Sequence, residues 1–160
     1  MKHSSTAVVL AILGLLAAIS PAALPSSAAA LGPAQGASYV ITVYDSTGNF
    51  ASRGVITLHA DHTMSVIDSN QGGPAYFFSS QLGAWKAGLN GKIVAKAIDF
   101  DYPPDQDVAR LDYTIGFTQK GNQAQGTITV TTFPLENGDP LDGGGTLLGT
   151  FTFVGQLVKP

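Results

Sequence analysis

The stretch "VARLDYTIGFTQKGNQAQGTITVTTF", residues 108–133, decides how the chain folds. From Ala109 the odd positions are Ala109, Leu111, Tyr113, Ile115 and Phe117, set against Arg110, Asp112, Thr114, Gly116 and Thr118. A period of two belongs to a strand with one buried face and one wet face. "KGNQ" interrupts it, a turn in which Gly or Asn adopts positive φ at little cost. The alternation then resumes with Ala124, Gly126, Ile128 and Val130 against Gln125, Thr127, Thr129 and Thr131. Two long strands joined by a tight turn are antiparallel neighbours, since a parallel pair needs a crossover of about a dozen residues.

The same rhythm extends in both directions, and helical periodicity is hard to find beyond residue 30. Strands are expected near 38–44, 54–60, 63–69, 75–79, 83–87, 92–102, 108–119, 123–133 and 146–158, with "ADHT" and "GLNG" as further short turns. In the last strand Leu148, Val154 and Val158 interrupt the polar face, which predicts cover on both sides. The fold class is all-β. An open meander of eight or nine strands would leave two long edges unprotected, so the expected architecture is an antiparallel up-and-down β-barrel of about eight strands, with a β-sandwich as the alternative. Gly116, Gly126, Gly149 and Gly155 inside the long strands favour the barrel, whose closure uses such kinks.

At the N-terminus Lys2 and His3 precede "AVVLAILGLLAAI", residues 7–19, followed by Ser20, Pro21 and a small-residue tract. These are the parts of a secretory signal peptide. The apolar run is shorter than the roughly 20 residues of a membrane span. Small residues allow cleavage after Ala30 or after Ala37, the first being favoured. Residues 1–30 are thus expected to be a signal helix, residues 31–160 a single barrel domain, and the protein secreted, extracellular or periplasmic, with no integral membrane span after cleavage.

The chain has no cysteine, which excludes disulfides, thiolate catalysis and thiolate metal sites. Its formal net charge is −3, and one more positive charge leaves with Lys2. Without clustered Lys or Arg, neither nucleic acid nor an anionic membrane is an expected partner.

Candidate chemistry centres on "DFDYPPDQD", residues 99–107. Asp99, Asp101, Asp105 and Asp107 provide oxygens for calcium, but the segment lacks the glycine of a sharply turning calcium loop and holds two prolines instead. His59 and His62 lack the spacing of a two-histidine site, so no metal and no cofactor is expected. No G-x-S-x-G surrounds a serine, and a single glutamate, Glu136, does not make a glycosidase pair.

General acid/base chemistry remains, because one Asp or Tyr desolvated in a barrel has its pKa moved toward neutrality. The candidates are Asp99, Asp101 and Tyr113. Asp99 and Asp101 share a strand face with Ile93, Ala95 and Ala97. Since burying an unpaired carboxylate costs several kcal/mol, the favoured expectation is that a bulge switches the strand's sidedness, turning Ile98, Phe100 and Tyr102 inward. Asp105 and Asp107 are then read as a solvated loop. As ligand-binding side chains the pattern offers Trp85, Tyr113, Phe117, Phe151 and Phe153.

With Gly83-Ala84-Trp85 opening a hairpin and Gly149-Thr150-Phe151 near the end, the chain resembles the calycin group of secreted barrels, the lipocalins and avidin-like proteins. It departs from them in carrying its G-x-W in mid-chain, in having one tryptophan, and in lacking a C-terminal helix. The resemblance implies a small apolar or amphipathic ligand inside an eight-stranded barrel and no catalytic step, which is the leading expectation. In size and strand rhythm the chain is also similar to the allene oxide cyclase and dirigent barrels, which implies instead a cyclase or isomerase acting on an apolar substrate. A third expectation is an extracellular structural or adhesion domain that uses its Thr-rich faces.

Overall fold

The computed structural model describes residues 36–72, 77–118 and 120–160. The expected signal peptide lies outside the described residues. Eight strands follow one another: β1 Ala37–Tyr44, β2 Phe50–Leu58, β3 Thr63–Asp68, β4 Gln81–Ala87, β5 Ile93–Phe100, β6 Asp107–Phe117, β7 Gln123–Pro134 and β8 Thr146–Leu157. Each pairs antiparallel with the next, and β8 returns to β1, with Tyr39 opposite Leu157 and Tyr44 opposite Thr152. The result is a closed up-and-down barrel with the strands in sequence order. The barrel expectation is met and the sandwich alternative is not.

Turn chemistry fixes the hairpins at one end. His62 at φ 70°, Asn90 at 56°, and the glycines Gly91 at 71° and Gly121 at 65° supply the left-handed residues of the three short connections β2–β3, β4–β5 and β6–β7. At the other end β1–β2 is also joined by a short turn, while longer segments join β3–β4, β5–β6 and β7–β8. Closure brings backbones together at two glycines. A Cβ on Gly126 would stand 1.9 Å from the Thr114 carbonyl oxygen, and one on Gly83 would stand 2.0 Å from that of Lys96. Side chains at these corners would force β6 from β7 and β4 from β5.

Along every strand alternate residues point inward. Tyr39 and Ile41 of β1, Ile56 and Leu58 of β2, Met64 and Val66 of β3, and Ile93 and Ile115 of β5 and β6 are each at most 2% exposed and form the core. The outer face is partly covered as well. Between β7 and β8 the chain folds back over Val108 and Phe133, where the Arg110 guanidinium lies 5.2 Å from the Phe133 ring and donates to the carbonyls of Pro140 (3.1 Å) and Asp142 (2.9 Å).

Three expectations are corrected. The strand placed at 75–79 does not form over residues 77–79, where only an isolated bridge joins Phe78 to Asp101; Ala75 and Tyr76 lie outside the described residues. β2 begins at Phe50, earlier than expected: Ser52 continues the inward phase of Gly54, and beyond a bulge Phe50 still pairs with Tyr44. β8 is not covered on both faces: Leu148 and Val154 are exposed. Among the described residues no helix is long and apolar enough to cross a membrane.

Candidate functional site

The strand β5 places the chemistry. Ile93, Ala95, Ala97 and Asp99 are all buried, whereas Phe100 is exposed and Ile98 only half-buried. The strand keeps its register through Asp99↔Ala109 and Phe100↔Val108 with no shift. The expected switch of sidedness is therefore absent, and Asp99 faces the interior at 4% exposure. What makes this tolerable is protonation. Burial pushes the Asp99 carboxyl up to about 7, helped by the negative charges of Asp101, Asp107 and Asp68, and a neutral carboxylic acid costs far less to bury than a carboxylate. Its Oδ1 atom is buried and meets no hydrogen-bond partner.

Around Asp99 the inner face turns polar. Gln81 opens β4 beside Val66 and is buried. Its Oε1 accepts a short hydrogen bond from the Tyr113 hydroxyl, which reaches it from β6 over the strand that carries the small Ala95 and Ala97. Burial, and then the nearby Asp99 and Asp68 charges, raise the Tyr113 phenol well above its ordinary value. That hydroxyl is a neutral donor committed to Gln81, so Tyr113 positions the amide rather than serving as a base. On the opposite wall Ser52 Oγ donates to Asp68 Oδ2 at 2.7 Å, and the Asn70 amide donates to Asp68 Oδ1 at 2.8 Å.

Two further carboxyls stand above Asp99. Asp101 continues the inward phase of β5 and its amide donates to the Asp107 carbonyl at 2.9 Å. Burial, and then the adjacent Asp107 carboxyl, raise the Asp101 carboxyl as well. Asp107 is the first residue of β6, half-buried, with a buried Oδ1 that has no partner. It is not the solvated loop residue expected from "PPDQD"; of that pair only Asp105 is exposed. Asp68, Asp99, Asp101 and Asp107 thus converge on one end of the barrel, referred to below as the mouth. These carboxyls do not have the arrangement of a metal cluster among the described residues.

The five aromatic side chains expected to line a ligand are on the inner face but not in one place. Trp85 is buried toward the opposite end, stacked on His62 with ring centres 4.4 Å apart and its Nε1 donating to the His59 carbonyl at 3.1 Å. Phe117 packs there against Tyr39, at 5.6 Å between ring centres. Phe153 is buried and Phe151 half-buried in the core. Trp85 and Phe117 close the far end, and only Tyr113 of the five reaches the mouth. The far end is filled by ordinary side chains. Two grooves of about 540 and 460 Å³ lie on the outer surface of the sheet, among residues such as Thr42, Gln125, Thr127 and Val154, and not in the lumen.

Asp99, Asp101 and Tyr113, the acid/base candidates, are brought into one region. Asp107, expected in a solvated loop, completes it together with Gln81, Asp68 and Ser52, which the sequence reading does not single out. The signal that finds them is phase: each is a polar residue that continues the two-residue phase of an inward-facing series toward the mouth end of its strand. The class defined by fold and site is a closed eight-stranded antiparallel barrel with one packed end and one acidic mouth. Comparison of the chain with protein-family profiles, with curated proteins and with solved structures gives no match.

Proposed function

We propose that the protein is a secreted acid/base barrel, a cyclase or isomerase of the allene oxide cyclase or dirigent type, which takes a small apolar or amphipathic molecule at its mouth. The observation that carries this reading is Asp99: buried, with a carboxyl raised to about 7 and one oxygen without a partner. A general acid/base works best when its pKa lies near the working pH. Asp99 in its acid form delivers a proton to one atom of the substrate and accepts one back from another. An isomerisation of that kind consumes no co-reactant. Gln81, held by Tyr113, offers its amide N–H to a developing negative oxygen. Secretion rests on the signal-like segment 7–19, and cleavage after Ala30 rather than Ala37 is supported by Ala37, which is buried and paired with Leu58 at the start of β1.

The test uses the small-molecule fraction of the producing culture medium, incubated in D2O with the wild type and with Asp99→Asn. Deuterium entering one compound with the wild type and not with the variant is expected. Equal incorporation with both, or none with either, contradicts the acid/base reading.

A second reading is a non-catalytic carrier of the calycin kind, favoured by the exposed apolar side chains near the mouth, among them Phe50 and Phe77. It predicts a compound that co-purifies with the native protein, is released on denaturation, and is retained by Asp99→Asn.

A further inference from the structure

The ionisable groups on the inner face of the mouth are acids. Strand alternation puts Asp68, Asp99 and Asp101 on the inner face at the ends of β3 and β5, and Asp107 beside them at the start of β6. Asp99 is more than nine-tenths buried and aims an unpartnered oxygen into this group. Among the described residues no basic side chain answers it. Arg53, Lys86, Lys96 and Arg110 occupy outward positions of their strands, with Lys96 and Arg110 engaged by Asp112 on the outer face. Lys92, Lys120 and Lys159 belong to the turns and the C-terminus at the packed end. A molecule entering the mouth therefore meets acids alone, among them the charges of Asp107 and Asp68 that already act on Asp99, and an anionic head group is repelled.

Aromatic side chains stand at the rim. Phe77 and Tyr102 are exposed and are joined by a hydrogen bond from the Tyr102 amide to the Phe77 carbonyl at 2.7 Å, next to Asp101, while Phe50, exposed at the start of β2, pairs with Tyr44 on the outer face of the same end. Exposed rings around an acidic floor are the surroundings in which an ammonium group is bound, by charge below and by ring faces at the side. We propose that the mouth selects organic cations: its ligands are apolar molecules bearing an ammonium group, and acids of the same shape are rejected. This rests on the mouth being the substrate site and adds the charge of what enters it.

Three probes of equal chain length separate charge from apolarity: hexyltrimethylammonium, hexanoate and hexanol, each titrated into the full folded protein and followed by amide chemical shifts. The cation is expected to give saturable shifts at residues 99–107 and around Gln81, and hexanoate none. In Asp101→Asn/Asp107→Asn, with its fold checked by the dispersion of the spectrum, affinity for the cation should fall roughly ten-fold, as loss of partly desolvated charge contacts requires. Glu136→Gln/Asp142→Asn removes two outer carboxylates and should leave binding unchanged. Equal binding of all three probes at the mouth overturns the charge selection and leaves the mouth as the binding site. Unchanged affinity in the Asp101/Asp107 variant, an equal loss in the outer variant, or no saturable shift with the cation overturns the inference too. Deuterium incorporation judges proton transfer independently of all these outcomes.

Discussion

The two ends of the barrel are built on the same alternation and filled with opposite chemistry. At the packed end Tyr39, Leu58, Met64, Ile93 and Ile115 interlock, and Trp85 lies under His62. At the mouth small and acidic residues take many of the inward positions, Ala97 and Asp99 on β5, Ser52 and Gly54 on β2 and Ala109 on β6, beside the polar pair Gln81 and Tyr113. The single strand β5 passes through the whole change, from Ile93 through Ala95 and Ala97 to Asp99 and Asp101. A stable barrel needs only one end to hold it together. The other is free to keep a desolvated acid, and cost there is tolerated because the packed end supplies the stability.

The largest effects are expected at the packed end. Trp85→Ala removes a buried ring, its stack on His62 and its bond to the His59 carbonyl, and should cost about 3–5 kcal/mol in denaturant unfolding followed by circular dichroism. A loss under about 1 kcal/mol would show that this end is not the source of stability.

The mouth should respond with the opposite sign. An aspartate in the unfolded chain titrates near 4, and Asp99 in the fold near 7. Between these values the fold holds a proton that the unfolded chain has lost, so stability declines as pH rises from about 4 to about 7 and then levels off. The decline from this group is at most on the order of 4 kcal/mol. Asp101 acts in the same direction; Asp45 and Asp61, exposed and bonded within turns, are lowered and act only in the acid range. Asp99→Asn should therefore be more stable than the wild type at pH 8, with the slope across pH 5–7 reduced. A destabilised variant at pH 8 would mean that the ionised carboxylate has a partner.

Asp101→Asn should repeat this more weakly, because Asp101 is half-exposed and water screens it. The smallest effect belongs to neither end. Lys96→Ala breaks only an exposed 3.9 Å pair with Asp112 on the outer wall and should change stability by less than about 0.5 kcal/mol; a larger loss would require Lys96 to do more than face solvent.

Much of the architecture is legible in the sequence, because β6 and β7 display period-two patterning over their whole length and the turns carry Gly or Asn at most positions of positive φ, His62 and Gln106 being the others. The mouth was legible only in part. Asp99 follows Ile93, Ala95 and Ala97 in phase, and taking the phase at face value puts it inside; the opposite expectation arose from weighing the burial of an ionised carboxylate when the buried species is the neutral acid. Asp107 reads as loop because two prolines precede it, although its spacing from Ala109 and Leu111 sets it on the inner face. That Trp85 closes the packed end instead of lining the mouth depends on His62 folding onto it, a contact between a turn and a strand that no local pattern encodes.

The most direct test of this division is a carboxyl-carbon NMR titration of Asp99 in the intact protein, assigned by comparison with Asp99→Asn. A midpoint near 7 is predicted, held there by burial and by Asp101, Asp107 and Asp68. A midpoint near 4, the ordinary aspartate value, would contradict it and with it the account of the mouth as the site of a desolvated acid.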